Sequence, residues 1–174
     1  RMVAQIPLLH LRHQCGLRGR TVLALRCSAP APEACATSVA AALRKAAAEA
    51  GLAVSEVVTL QRGDDLGSGE AARRLGDEHN AAHVLWVSLV GSYLSHDAEG
   101  VVYGVTEASA NLQETRDGKD MMSWRGEGRY KCGAVTRLEA SRNSLMHAIG
   151  GEHPMCNEEP GGLAQALESW QAQR

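Results

Sequence analysis

The sequence is poor in aromatic residues, since its 174 residues include three Trp, three Tyr and no Phe. Its core must therefore be built from Ala, Leu and Val, with helices that approach the sheet closely. The sequence also lacks an apolar run of about 18 residues, which argues against a membrane-spanning helix. Acidic and basic residues are interspersed and give a net charge of −2, which argues against a dedicated nucleic-acid-binding protein.

Motifs that carry chemistry are also missing. The sequence contains no phosphate-binding loop, dinucleotide fingerprint, serine-hydrolase elbow or zinc-protease motif. Hydrophobic residues make up 44% of the chain and charged residues 22%, which is typical of an ordinary globular domain. We therefore predict no catalytic residue, no cofactor and no metal ligand.

The chain has five cysteines, at positions 15, 27, 35, 132 and 156, and none forms a CxxC pair. They are either scattered thiols of a cytosolic protein or two disulfides and one free thiol of an exported protein. We favour the second interpretation. Cys27 and Cys35 bracket a Pro-rich turn, while Cys132 follows a predicted strand and Cys156 lies in a Pro/Gly-rich tail. These four are the candidate disulfide cysteines, although the sequence does not determine their pairing.

Two chemical alternatives also involve cysteines. His147, His153 and Cys156, with Cys132, could form a small-ligand or metal site near the C-terminus, but their spacing matches no standard zinc motif. Cys15 lies among basic residues that would lower a thiol pKa, but no candidate base accompanies it. We keep the first as the alternative function and expect a Cys132–Cys156 disulfide instead.

The first half of the chain predicts strands that alternate with helices. Residues 21–27 and 53–61 read as strands. The strongest helix signal runs from Pro32 to a glycine stop at Gly51, with an apolar face made by Val39, Leu43, Ala46 and Ala47. A short helix over 70–78 follows Ser68, which is a plausible N-cap.

The second half predicts three strands within 83–132, separated by turns at 96–100 and 116–119, and then a helix that ends at Gly150. Asp117-Gly118 is a hairpin signal. Val135, Leu138, Leu145 and Ile149 are expected to form the buried stripe of the last helix. In the second of the three strands, one face should be covered and the other exposed; the covered residues are Ala108, Ala110 and Leu112, and the exposed ones Ser109, Asn111 and Gln113.

The predicted order is β-α-β-α-β-β-β-α. Helical crossovers favour parallel neighbours in the first half, and the second half is an antiparallel meander. Together they predict an α/β fold, a two-layer sandwich with one mixed sheet. We expect an N-terminal arm over 1–20, the sandwich domain over 21–150, and a tail over 151–174 whose last residues can form a short helix.

Several short stretches carry a family resemblance across 20–150. The matching residues are Leu75, Gly76, Ala82, His83, Val84, Leu85, Val90, Gly91, Ser92, Ala108, Ser109, Ala110, Asn111, Leu112, Asp117, Gly118 and Trp124. They resemble bacterial envelope proteins with an anticodon-binding-domain-like fold. That group includes the amino-terminal domain of TolB, the curli secretion lipoprotein, the Pel polysaccharide export lipoprotein and the lipoprotein activators of penicillin-binding proteins.

The resemblance implies a non-catalytic interaction module that is periplasmic or associated with the outer membrane. It would be a subunit of an export, secretion, motility or cell-wall assembly, with protein partners that include further copies of itself, and without nucleic acid. Contact with the membrane would come only through an anchor upstream of Arg1, because the first residues show no signal-peptide cleavage site. Gly91, Asp117, Gly118 and Trp124 would then be structural residues.

Overall fold

The computed structural model describes residues 17–28, 35–94, 102–134, 136–151 and 162–174. Its strands are β1 (Arg20–Ser28), β2 (Ala53–Thr59), β3 (His83–Leu94), β4 (Val102–Glu114) and β5 (Asp120–Ala134). Its helices are α1 (Ala40–Glu49), α2 (Gly69–His79), α3 (Arg137–Ile149) and α4 (Leu163–Ala172), with a π-helical turn over Cys35–Val39 before α1. No helix in these segments is long and apolar enough to cross a membrane.

The described strands form one mixed sheet in the order β2-β1-β3-β4-β5. β1 pairs in parallel with β2 and β3, whereas β3, β4 and β5 form an antiparallel meander. This confirms the predicted mixed sheet with a crossover half and a meander half. The sheet is open, so β2 and β5 are its two edge strands.

The main core lies between one face of the sheet and the helices α1, α3 and α4. Its strand residues alternate along the chain, as a pleated strand requires; they are Leu23, Leu25, Leu85, Val87, Leu89, Ala108, Ala110, Leu112 and Met122. The predicted apolar face of α1 is confirmed, because Val39, Leu43, Ala46 and Ala47 are all buried there. Ala, Leu and Val thus fill the core of a chain without Phe.

The C-terminal helix belongs to this core. Leu163 and Leu167 on α4 are fully buried among the main-core residues. Residues 152–161, which connect α3 to α4, lie outside the described segments.

A second, smaller core forms on the opposite face of the sheet. α2 packs Ala71, Ala72 and Leu75 against Val84 and Trp86 of β3. Ser68 caps this helix, as predicted, by accepting a hydrogen bond from the Ala71 N–H at 3.1 Å. Because α2 is short, it covers only one end of this face.

One side-chain prediction was wrong, and another was right only in the direction of the side chain. Leu138 does not join the buried stripe of α3, because it lies in the first turn with 59% of its surface exposed. The helix instead buries small residues, including Ala140, Ser144 and Ala148. Gln113 does point away from the main core, but only 3% of it is exposed, because the loop before α2 covers it.

Candidate docking surface

The face of the sheet beyond α2 is uncovered by the described helices, and we call it the open face. It is formed by side chains of β3, β4 and β5 that alternate with those of the main core. They are Ser88, Val90, Glu107, Ser109, Ser123, Arg125 and Glu127. Val90 is 41% exposed, which is unusual for a large apolar residue of this protein. The open face is therefore largely polar.

Two open depressions adjoin on this face. One, of about 400 Å³, lies beside Leu66 and Trp86, and the other, of about 610 Å³, lies beside Val90. Both are lined by Ser109 and Arg125. They form a shallow track across β3, β4 and β5 rather than an enclosed pocket, which suits a flat or extended partner better than a small buried ligand.

A hydrogen-bond network closes the end of the open face nearest α2. Buried Gln113 accepts from the Trp86 Nε1–H at 2.8 Å, and its amide group donates to the Gly67 carbonyl at 2.7 Å and to Asp120 at 2.9 Å. Asn111 also donates to Asp120 at 3.1 Å. The hydrogen bonds from Gln113 and Asn111 lower the pKa of Asp120, because they favour its ionised form. This network ties the loop before α2 to β4 and β5.

Helix α3 lies very close to the ends of β4 and β5 on the other side of the sheet. A Cβ at Gly128 would lie 2.2 Å from the Ser144 carbonyl oxygen, and one at Gly104 would lie 2.0 Å from that of Ala140. The Thr106 and Ser144 hydroxyl groups are hydrogen-bonded at 2.7 Å across the same contact. Two glycines therefore allow the helix backbone to touch the strands, and small helix residues maintain that approach.

This position of α3 brings His147 to the edge of the sheet. The backbone N–H of Arg129 donates to Nδ1 of His147 at 2.9 Å, so it does not bond to β4. In an antiparallel pair, residues that bond to the neighbouring strand alternate with residues that face away. The β4–β5 register is regular from Met122 to Tyr130. The backbone groups of Ser123, Arg125 and Glu127 must therefore also face away from β4.

We call the segment Ser123–Glu127 the exposed edge. Within the described parts of the chain, no group accepts a hydrogen bond from its outward N–H groups. At Arg129 the edge is already occupied by His147. An unpaired row of backbone donors and acceptors is a template for another strand, so the described residues offer a candidate docking site between the hairpin turn and His147.

Charges alternate along the exposed edge on the open face. Glu127 forms a salt bridge with Arg129 at 2.9 Å and lies directly opposite Glu107 of β4. Arg125 has no ion-pair or hydrogen-bond partner among the described residues. The edge therefore presents an uncompensated guanidinium next to a pair of facing carboxylates.

The other titratable group with a shifted pKa is His83, at the start of β3. Only 6% of it is exposed, and its Nδ1 lacks a partner within the described segments. Burial lowers the pKa of His83; Glu114 opposes this shift and Arg174 adds to it. It lies on the main-core side, away from the open face, so we assign it a structural rather than a binding role.

The four residues predicted to be structural lie in the strands or in the hairpin turn. Gly91 is in β3 opposite Thr106. Asp117 and Gly118 form the β4–β5 turn, where Asp117 accepts from the Lys119 N–H at 3.0 Å and Gly118 has a φ of +70°. Trp124 lies in β5 and packs its ring over Gly126. These placements leave the roles themselves as predictions.

The cysteine predictions fall largely outside the described side chains. This applies to Cys15, Cys35, Cys132 and Cys156. Cys27 is half-buried beside the main core and is not a free thiol. Its partner lies outside the described side chains, so both proposed pairings stay predictions.

The cluster of the alternative ligand or metal site lies partly outside the described residues, since these do not include His153 and Cys156. Within the segments that the structure describes, no three His, Cys, Asp or Glu side chains converge as metal ligands do. The one described imidazole of the cluster, His147, uses its Nδ1 to accept the hydrogen bond from Arg129.

No protein-family model matches the chain, and no curated protein sequence matches it. Solved structures do match its fold. The PelC dodecamer from Paraburkholderia phytofirmans is 16% identical with a TM-score of 0.48, and the match covers 90% of this chain and 91% of PelC. Lipoprotein GNA1162 from Neisseria meningitidis is 17% identical with a TM-score of 0.45, over 67% of this chain and 85% of that protein.

A third match is the C-terminal domain of LpoB from Salmonella enterica. It is 20% identical with a TM-score of 0.35, over 70% of this chain and 92% of the domain. Proteins of the group that the sequence resembles are therefore among the solved structures to which this chain is similar.

The exposed edge is not predicted by the sequence pattern. Its signal was present, because Arg125, Glu127 and Arg129 alternate with small or aromatic residues in a predicted strand. What the pattern does not reveal is that this strand is an edge, or that His147 ends the accessible stretch.

Proposed function

We propose that this chain is a non-catalytic interaction module of the bacterial cell envelope. It docks a protein partner that adds an extended strand along the exposed edge, with side chains resting on the open face. The observation that carries the proposal is the edge itself, whose outward backbone groups at Ser123, Arg125 and Glu127 have no partner among the described residues. Strand addition is a common way for a sheet to bind protein segments.

The contrast between the two edge strands supports the choice of β5. β2 has seven residues, and its one charged residue, Glu56, contacts His79 of α2. β5 has 15 residues, and its exposed segment carries a guanidinium that has no partner among the described residues. Long, straight edges are usually blocked by charged side chains or by a cover. Here the cover is His147, and it blocks only one end.

We extend the proposal to location and assembly. By resemblance to the envelope group, the module works in the periplasm or at the outer membrane, as a subunit of an export, secretion, motility or cell-wall assembly. Its partners are protein subunits, including further copies of itself. In an oxidising compartment the candidate disulfides, Cys27–Cys35 and Cys132–Cys156, would be stable. Mass mapping of unreduced peptides tests both pairings directly.

Site-specific photo-crosslinking in the source cells tests the docking role. A photoreactive residue replaces Ser123 on the exposed edge in one variant and Arg73, which is exposed on α2, in a control variant. We expect an adduct with one defined protein, found in the envelope fraction, only from position 123. Mass spectrometry should place the link in an extended segment of that protein.

A proline variant shows whether the backbone is responsible. Arg125→Pro removes an outward N–H but leaves the bonds between β5 and β4 intact, because that N–H faces away from β4. The adduct at position 123 should disappear in this background. An adduct that persists there, equal labelling from position 73, or recovery of the chain only in the cytosol would each contradict the proposed function.

A further inference from the structure

The exposed edge is complementary in charge to itself. Gly126 lies between Arg125 and Glu127, and both charged side chains point to the open face. In an antiparallel pair, a two-fold axis through Gly126 would place Arg125 of each copy opposite Glu127 of the other. Opposite charges that face each other across a strand pair are stabilising.

We propose that the strand which docks on the exposed edge is β5 of a second copy, paired antiparallel about Gly126. This inference rests on the proposed function and names its partner. The two five-stranded sheets then continue as one sheet through the interface. Arg125 and Glu127 of each copy also exchange backbone hydrogen bonds with Glu127 and Arg125 of the other, because these are the residues whose backbone groups face outward.

The neighbouring registers are excluded either by repulsion between like charges or by a backbone group that is already bonded. An axis through Arg125 places two guanidinium groups opposite each other, and an axis through Glu127 does the same with two carboxylates. An axis through Gly128 would pair Glu127 with Arg129, but the Arg129 N–H is already bonded to His147. Of the registers centred on residues 125–128, only the one centred on Gly126 pairs Arg125 with Glu127 while both backbones are free to bond. The pairing is limited to these residues, because the next outward pair would set Ser123 opposite Arg129, where His147 occupies the edge.

The pairing also resolves the charge imbalance of the single chain. Glu127 lies opposite Glu107 on β4, where like charges repel. Arg125 of the second copy would lie beside this pair of carboxylates, and Arg125 itself has no other partner among the described residues. The β2 edge offers no such match, since its single charged residue, Glu56, has no opposite charge on the same strand with which to pair.

Charge-reversal variants and sedimentation velocity test the register. The wild-type contact is short, so we expect a weak, reversible dimer, as for small transient interfaces. Arg125→Glu and Glu127→Arg should each weaken self-association by about tenfold or more, because each creates two like-charge contacts. Both positions are exposed on the strand surface, so the variants should fold normally.

Two combinations restore the pairing if the register is correct. An equimolar mixture of R125E and E127R should form a heterodimer, because one chain then presents two carboxylates and the other two guanidinium groups. The double variant R125E/E127R, with its charges exchanged, should dimerise again. Arg73→Glu on α2 is the matched control, since it makes the same change of charge away from the edge and should leave self-association unchanged.

Hydrogen exchange provides a readout of the backbone. Exchange at the amides of Arg125 and Glu127 should slow as the protein concentration of the wild type rises, and should not slow in R125E. The inference is wrong if the wild-type protein stays monomeric at 1 mM. It is also wrong if neither charge reversal weakens the dimer. If crosslinking at Ser123 still identifies a different envelope protein in that case, the proposed function stands and only the identity of the partner is wrong.

Discussion

The contact between α3 and the edge strand makes a quantitative prediction about Gly128. A Cβ added there would lie 2.2 Å from the Ser144 carbonyl oxygen and 2.4 Å from the Ala148 nitrogen. Both are helix backbone atoms, so a side-chain rotation cannot relieve the clash. Gly128→Ala must push α3 outward by roughly 1 Å to restore ordinary contact distances.

The loss of stability caused by this displacement can be estimated from the contacts that it disturbs. Overpacking of a core contact costs about 1–3 kcal/mol. Moving α3 also strains the Thr106–Ser144 hydrogen bond of 2.7 Å and the bond of 2.9 Å from the Arg129 N–H to His147, each worth about 1 kcal/mol. We therefore expect Gly128→Ala to lower the free energy of unfolding by about 3 kcal/mol. That is a large part of the 5–15 kcal/mol that is typical of a domain of this kind.

Urea denaturation followed by far-ultraviolet circular dichroism measures this loss. Gly69→Ala is the matched control, because a Cβ there would lie 3.5 Å from the nearest atom, the Gly118 Cα, and the residue begins a helix. It should be neutral or stabilise by up to about 1 kcal/mol, since alanine restricts the unfolded chain. Equal stability of Gly128→Ala and wild type would refute the close contact between α3 and β5.

Two further predictions concern buried polar groups. Gln113→Leu should destabilise the fold by about 1–3 kcal/mol in the same urea assay, because the buried Trp86 Nε1–H loses its acceptor; a neutral result would show that the network does not hold the loop before α2. Burial lowers the pKa of His83 in the folded protein below its ordinary value of about 6.5. As the pH is lowered through that value, the unfolded chain binds a proton before the folded chain does, so the free energy of unfolding should decrease as the pH decreases. His83→Gln should flatten that part of the pH–stability curve, and unchanged curvature would contradict the assignment.

The predictions of side-chain exposure differ from the structure where exposure depends on a segment distant in the sequence. Gln113 was placed on the correct face of β4, yet the loop before α2, which is 46 residues away in sequence at Gly67, covers it. Leu138 fits an apolar period with Leu145, yet none of the described segments covers the first turn of α3. The periodicity of a sequence predicts the face of a helix or strand on which a side chain lies. Whether that side chain is buried depends on which other segments pack against that face.

The exposed edge could not be predicted for the same reason. The alternation of Arg125, Glu127 and Arg129 is visible in the sequence, but whether β5 ends the sheet depends on strand order. His147 was considered as a metal ligand because of its neighbours along the chain. In the folded protein its neighbour is the Arg129 backbone, which two glycines bring within reach of the helix.

The sequence by itself determined the local elements: the alternating strands, the Ala-rich helix α1, the Ser68 cap and the Asp117-Gly118 turn. Each of these is specified by residues within a few positions of one another, through backbone geometry and a repeat of 2 or about 3.6 residues. The tertiary structure alone decided which strand is the edge, which part of it stays exposed, and which helix residue covers the rest. Those features arise from contacts between segments far apart in the chain, which form only when the sheet and its helices pack together.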